Sequence, residues 1–274
     1  MVTGSNFSDL QGLWWSSPAV RTDAALRVNI LLEERRFLYC LTLDLSPVAL
    51  GACNWSEASK WWEQLQSEGV VSVFCGVPTQ CTTWVPADLF DSEDSAWVGP
   101  LISHRKVETW ANFFVPGQKA WAYYCLDLDV QSWVKEIESS VPCEVTLLPT
   151  EVLSALHPPR FSDAVVCVHW VDSKVEIACF QNGLLVFSNT FSASSANDAA
   201  YAIGLAYEHT SWSGLNTPLW WSGNHDQLSQ SLSLMEPFVS VIHPFPSLPS
   251  LPETLGDWRS NPALLRLFQL TLCV

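Results

Sequence analysis

Apolar and polar residues alternate along "ALRVNILLE" (25–33). Leu26, Val28, Ile30 and Leu32 share one face, and Arg27, Asn29 and Glu33 the other. Period-two patterning of this kind marks a half-buried strand. "RFLYCLTLD" (36–44) repeats it with Phe37, Tyr39, Leu41 and Leu43 in register, so the two runs predict an antiparallel hairpin around a short charged turn. A third strand is predicted at "VALGACNW" (48–55). Ser56 then offers a cap to a helix through "EASKWWEQLQ", with Ala58, Trp61, Trp62 and Leu65 on its apolar side. "VVSVFCG" (70–76) follows as a buried strand.

The same order returns later in the chain. "DAVVCVHWV" (163–171) and "KVEIACFQ" (174–181) predict strands, and Asn182-Gly183 is a strong hairpin turn because both residues tolerate positive φ. "LLVFSNTF" (184–191) is the third strand, and Ser195-x-x-Asp198 opens a helix through "AAYAIGLAYEH". "PLWWSG" (218–223) then occupies the place of "VVSVFCG", and "DQLSQSL" reads as a helix after it. Each half therefore reads β-β-β-α-β, a repeat of architecture without strong residue identity.

Between the copies, residues 107–158 predict a hairpin, a helix from Val130 to about Ser139, a strand at "CEVTLLP" and a helix from Thr150. Pro158-Pro159 makes a boundary. The expected division is 1–158 for the first half, with an additional α/β unit at about 107–158, and 159–274 for the second. After a strand at "FVSVIH", the stretch 244–253 is punctuated by proline, and Asn261 caps a short helix with Pro262 at its first position.

Composition narrows the class. Of 274 residues, 48% are hydrophobic and 15% charged, so the chain can fill a large core. Thirteen basic residues against 28 acidic ones give a net charge of −15, which repels a phosphate backbone and argues against nucleic-acid binding. The opening "MVTGSNFSDLQGLWWSS" lacks the basic start and apolar centre of a secretory signal. No apolar run approaches the roughly 20 residues of a membrane helix, so stable membrane insertion is not expected and the chain reads as soluble and cytoplasmic. The nine cysteines include no Cys-x-x-Cys pair. They are expected to be reduced core residues, with no metal bound.

With these elements in place the chain resembles a bacterial domain-of-unknown-function family with an actin-like ATPase (ribonuclease H-like) fold. The resemblance rests on "WVPADLF" (84–90), "GLLVFSNTF" (183–191), "NDAAYAIGLAYE" (197–208), "PLWWSGN" (218–224) and the ending "LFQLTLCV" (267–274). It implies a duplicated α/β fold, two β-β-β-α-β halves with an additional α/β subdomain. None of these phrases is a catalytic signature.

In active members of that superfamily ATP lies between the halves, and the first hairpin of each half supplies an Asp-x-Gly turn for phosphates and Mg²⁺. Here the first turn is "LLEERRF", with Glu33, Glu34 and Arg35 and no glycine. The second is "HWVDSKVE", with Asp172 and Ser173 and again no glycine. A third element, a glycine pair beside the adenosine, is reduced to Gly223-Asn224. These residues outline a vestigial nucleotide cleft. The expectation is a catalytically silent domain without a cofactor, a pseudo-ATPase acting through a protein partner or as a homodimer. The alternatives are an ATP-binding protein whose arginines replace the missing amides, and a platform protein similar to actin-like components of pilus or secretion assemblies.

Other constellations change the picture less. Asp127 and Asp129 alternate onto one face and suit a helix start better than a metal site. His169 reads as a core histidine. Among 15 tryptophans, three adjacent pairs stand at 14–15, 61–62 and 220–221. On a strand the two rings of a pair face opposite ways. Trp14 and Trp15 precede the first clear strand, and are the candidate interaction surface.

Overall fold

The alternating runs at the start of the chain form the predicted meander. In the computed structural model the described residues are 12–16, 25–33, 36–66, 69–79, 81–89, 110–126, 128–140, 143–159, 163–223, 226–245, 253, 255, 257, 261 and 264–273. Strand β1 (Leu13–Ser16) lies antiparallel to the later β4, followed by β2 (Leu26–Leu32), β3 (Arg36–Leu43) and β4 (Ser46–Asn54). Helix α1 (Ala58–Gln66) begins later than the predicted cap. Ser56 sits inside a 3-10 turn, Trp55–Glu57, because the Trp55 indole donates to the Glu33 carbonyl at 3.1 Å and pins the chain leaving β4. Trp61 is buried from α1 against Phe37 and Tyr39, with Trp62 edge-on to it in the same core, and β5 (Val70–Val77) returns parallel to β2.

The stretch read as an additional α/β unit contributes to two places. β7 (Trp110–Val115) and β8 (Ala120–Cys125) join β6 (Cys81–Pro86) in a three-stranded sheet of order β6-β8-β7. Helix α2 (Leu128–Ser140) buries Val130, Val134 and Ile137 in the core of the first sheet. β9 (Val145–Pro149) then adds parallel to β5, completing the order β1-β4-β3-β2-β5-β9. Asp129 falls in the first turn of α2, as a helix start requires; Asp127 lies outside the described residues.

Helix α3 (Thr150–Leu156) leads into the second half: β10 (Ala164–Val171), β11 (Lys174–Gln181), β12 (Leu184–Ser192), α4 (Ala196–Thr210), β13 (Leu219–Gly223), α5 (Leu228–Met235) and β14 (Ile242–Pro244). β10 to β12 form an antiparallel meander, while β13 is parallel to β10 and β14 to β13. The order β12-β11-β10-β13-β14 repeats β4-β3-β2-β5-β9: third, second, first, fourth, fifth strand in each half. β14 is shorter than "FVSVIH", because a turn follows α5 and the Phe238 N–H bonds back to the Met235 carbonyl at 2.9 Å.

Helix α6 (Leu265–Thr271) starts beyond the predicted Asn261 cap, whose carbonyl accepts the Leu264 N–H at 3.1 Å; Pro262 lies outside the described residues. Although it ends the second half of the sequence, α6 packs on the first sheet. Leu264, Leu267 and Phe268 are buried with Leu31, Leu38, Cys40 and Leu50. The Arg27 guanidinium holds the chain end by donating to the Cys273 carbonyl at 2.7 Å. α3 and α6 meet between the two sheets through Leu153 and Leu270. The far end of the second sheet is tied to the three-stranded sheet by Gln118. Its amide donates to Gly183 O at 3.2 Å and its carbonyl accepts the Leu185 N–H at 2.7 Å, as a neighbouring strand would.

Eight cysteines are free among the described side chains, six of them buried. Burial pushes the Cys40, Cys75 and Cys179 thiols up to about 12, so they are inert small apolar residues. Among the described residues, no helix is long and apolar enough to cross a membrane.

Candidate cleft between the two halves

The first of the predicted turns is closed on itself. The Glu33 N–H donates to the Arg36 carbonyl at 2.9 Å, and the Arg36 guanidinium donates to the Glu33 carboxylate at 2.8 Å. Glu33 is buried, and its carboxyl is raised above the ordinary range by that burial and, more weakly, by the charge of Asp172, against the lowering effect of Arg36. The Asp172 charge reaches Glu33, so the β10–β11 tip lies within electrostatic range of the β2–β3 turn. Glu34 and Arg35 lie outside the described residues.

The second turn is a two-residue tip, with Val171 paired to Lys174 in the ladder. Asp172 is in the left-handed region at φ 52°, a conformation that aspartate tolerates better than most residues. Neither turn has a glycine that would let a phosphate approach two or three backbone amides closely.

The third element is a backbone constraint. Gly223 ends β13, between β10 and β14, at φ 108°. A Cβ there would lie 2.1 Å from the Trp170 carbonyl oxygen, so glycine serves both conformation and strand packing. Beside it, the Ser222 hydroxyl donates to the Val168 carbonyl at 3.3 Å and pairs with His169 Nδ1 at 2.8 Å. Both bonds are satisfied together when Nδ1 carries the proton. His169 is thus a hydrogen-bonded core histidine, its pKa held well below the ordinary range, on the side of the neutral ring, by burial and by the nearby Arg266 charge. Asn224 lies outside the described residues.

Beneath the two turns a buried polar network joins the halves. The Lys174 ammonium donates to the Thr79 carbonyl at 2.7 Å. Glu151 Oε1 accepts from the Thr79 hydroxyl at 2.6 Å and from Thr190 at 3.0 Å. The other Glu151 oxygen, Oε2, is buried with no hydrogen-bond partner among the described residues. Burial first, and then the Glu176 charge, raise the Glu151 carboxyl above its ordinary range. Glu176 itself accepts from the Thr150 hydroxyl and from Arg266 at 2.8 Å, and Arg266 also donates to Ser154 and, at 3.1 Å, to Gln269. One arginine of α6 therefore binds α3 and β11 at once.

This arrangement and the two matching sheets can be set beside known proteins. A family model described as protein of unknown function (DUF3822) matches residues 63–242. The chain belongs to that family. No curated protein matches it. A structure from Bacteroides thetaiotaomicron VPI-5482, described as a protein with actin-like ATPase fold and unknown function, aligns at a TM-score of 0.73 and 12% identity, covering 92% of this chain and 97% of that one. A PilM-PilN type IV pilus biogenesis complex aligns at 0.60 and 10% identity, covering 92% and 98%. Ethanolamine utilization protein EutJ from Carboxydothermus hydrogenoformans aligns at 0.50 and 10%, covering 94% and 92%. At these identities the likeness is one of fold: this family member has the actin-like ATPase fold expected from its repeat.

Of the residues singled out in the sequence, the fold puts Glu33 on the β2–β3 turn, Asp172 and Ser173 on the β10–β11 tip within electrostatic range of it, and Gly223 at the end of the central strand. Trp14 is 38% exposed on β1, on the far edge of the first sheet; nothing is described of the Trp15 side chain. Glu151, Glu176 and Arg266 escaped the sequence reading. Their signal was a single charge inside an apolar run, as in "TEVLSAL" and "LLRLFQL", which marks a buried charge that needs a partner. Among the described residues, no three histidine, cysteine or carboxylate side chains are grouped to hold a metal ion.

Proposed function

We propose that this family member is a non-catalytic actin-like domain that works as a scaffold for a partner protein. The observation that carries the reading is the electrostatics of the two turns. In place of two glycine-containing turns, the chain has Glu33, buried and ion-paired to Arg36, with the Asp172 carboxylate within electrostatic range of it. A polyphosphate entering there meets the Asp172 carboxylate and turns without glycine. The arginine-based alternative is weakened at Arg36, whose guanidinium already neutralises Glu33 through Nε. The polar network below the turns supports a fixed relation between the halves rather than closure around a ligand. The shared fold with a chain of a PilM-PilN type IV pilus biogenesis complex gives this architecture a precedent in a two-protein assembly.

Thermal unfolding with and without Mg-ATP tests the reading. A site filled at 100 times its Kd would add about 2.7 kcal/mol, a rise in Tm of several degrees in a domain this large. The expected result is no shift. A clear shift, with ATP turnover above background, overturns the proposal.

A further inference from the structure

The outer corner of the second half carries an apolar surface held rigidly by its own backbone. Two segments, 211–217 after α4 and 236–241 after α5, are stapled together. The Ser240 N–H donates to the Gly214 carbonyl at 3.1 Å, and the Ser240 hydroxyl donates to the Leu215 carbonyl at 2.9 Å. Gly214 makes this approach possible, since a Cβ there would sit 2.3 Å from the Phe238 carbonyl oxygen. Met235 and Val239 anchor the second segment in the core. The staple leaves Leu215 69% and Phe238 68% exposed, with Leu234 and Val241 also exposed beside them in sequence. Single exposed apolar residues are ordinary, but two of the most exposed large ones on adjoining, hydrogen-bonded segments make a surface already ordered for contact.

Charge selects the occupant. Glu208, three residues before the first segment opens, and Glu236, two residues before Phe238, are exposed carboxylates adjoining the two segments in sequence. Between Lys174 and Arg259 the sequence has seven carboxylates and neither lysine nor arginine. A second copy of a chain with net charge −15 is repelled by such a surface, and so is an anionic membrane. We infer that Leu215 and Phe238 form the apolar centre of a docking site for a basic amphipathic segment of a partner protein, with Glu208 and Glu236 as its acidic rim. This assignment rests on the scaffold reading and locates its contact surface.

The test uses a fluorescent probe helix made of leucine and lysine, and a control with glutamate in place of lysine. Anisotropy titrations should show binding of the lysine probe only, weakening as salt is raised. Phe238→Ser and Leu215→Ser should each weaken it about tenfold with unchanged circular dichroism, as for central contact residues. Leu128→Ser, 66% exposed on α2 of the first half, should leave binding as it was. Unchanged binding by Phe238→Ser, or equal binding of both probes, overturns the assignment. So does self-association, or binding to phosphatidylserine vesicles, that depends on Phe238. Affinity purification of the full chain from its own cells separates the two claims. A partner retained by Phe238→Ser sinks this surface and leaves the scaffold reading standing, whereas the absence of any stoichiometric partner sinks the scaffold reading.

Discussion

Gly223 shows how far one residue can be read in isolation. Its place after "LWWS" suggests a strand end, and the structure adds two independent reasons for glycine: φ 108° and a carbonyl 2.1 Å from any Cβ. Because the obstacle is the Trp170 backbone, Gly223→Val should lower the urea unfolding free energy by about 3 kcal/mol, with or without nucleotide. A loss within error of zero would mean that the turn can rearrange. Glu151 behaves differently, since its chemistry is set by surroundings that the sequence does not display. Its carboxyl is raised from 4.5, so the folded protein holds a proton there that the unfolded chain releases. The stability this contributes is whole below the unfolded value and drains as pH rises through the folded one. Glu151→Gln keeps the shape and cannot ionise. Its urea midpoint relative to wild type should therefore climb as pH rises above the ordinary carboxyl value, and a difference independent of pH would refute the raised, buried carboxyl.

Secondary-structure elements were the most readable features, because their signals are local. Asn182 and Gly183 do adopt positive φ, at 52° and 78°, as a two-residue hairpin turn demands. The Ser195 hydroxyl accepts the Asp198 N–H at 3.2 Å, and the Asp198 carboxylate accepts the Ser194 N–H at 3.1 Å in return. Ser195→Ala should cost about 1 kcal/mol in chemical denaturation, while Ser195→Asp should restore most of it. An alanine variant as stable as wild type would show that packing of the long helix α4 makes its cap redundant. Misplaced boundaries have equally physical causes. Ser56 is a good cap residue overtaken by a tertiary hydrogen bond from Trp55, and α6 begins where it can lay Leu264, Leu267 and Phe268 on the first sheet rather than at the Asn-Pro signal.

Across the whole molecule, the contact that matters most is the one between Arg266 and Glu176, 90 residues apart in sequence. Both side chains are mostly buried, at 4% and 13% exposure, so either one alone would be an uncompensated charge. Arg266→Met should cost about 3–5 kcal/mol, and adding Glu176→Gln should recover a substantial part. Additive losses in that double-mutant cycle would mean that the pair does not couple the C-terminal helix to the second sheet.

The order of strands and helices, the duplication, and the residue types at each turn were determined by the sequence itself. Periodicity and turn chemistry act within a few residues, and the chain spells them once in each half. The candidate cleft was half readable: motif position located Asp172 and Gly223, but not the charge that sits behind them. Only the tertiary structure decided that β9 completes the first sheet and that α6 returns to it. It also placed Ser154, Glu176 and Gln269 around the Arg266 guanidinium although Ser154 and Arg266 stand 112 residues apart. Burial is encoded in a residue's own pattern. Its partner is chosen by chain topology, which places distant residues together.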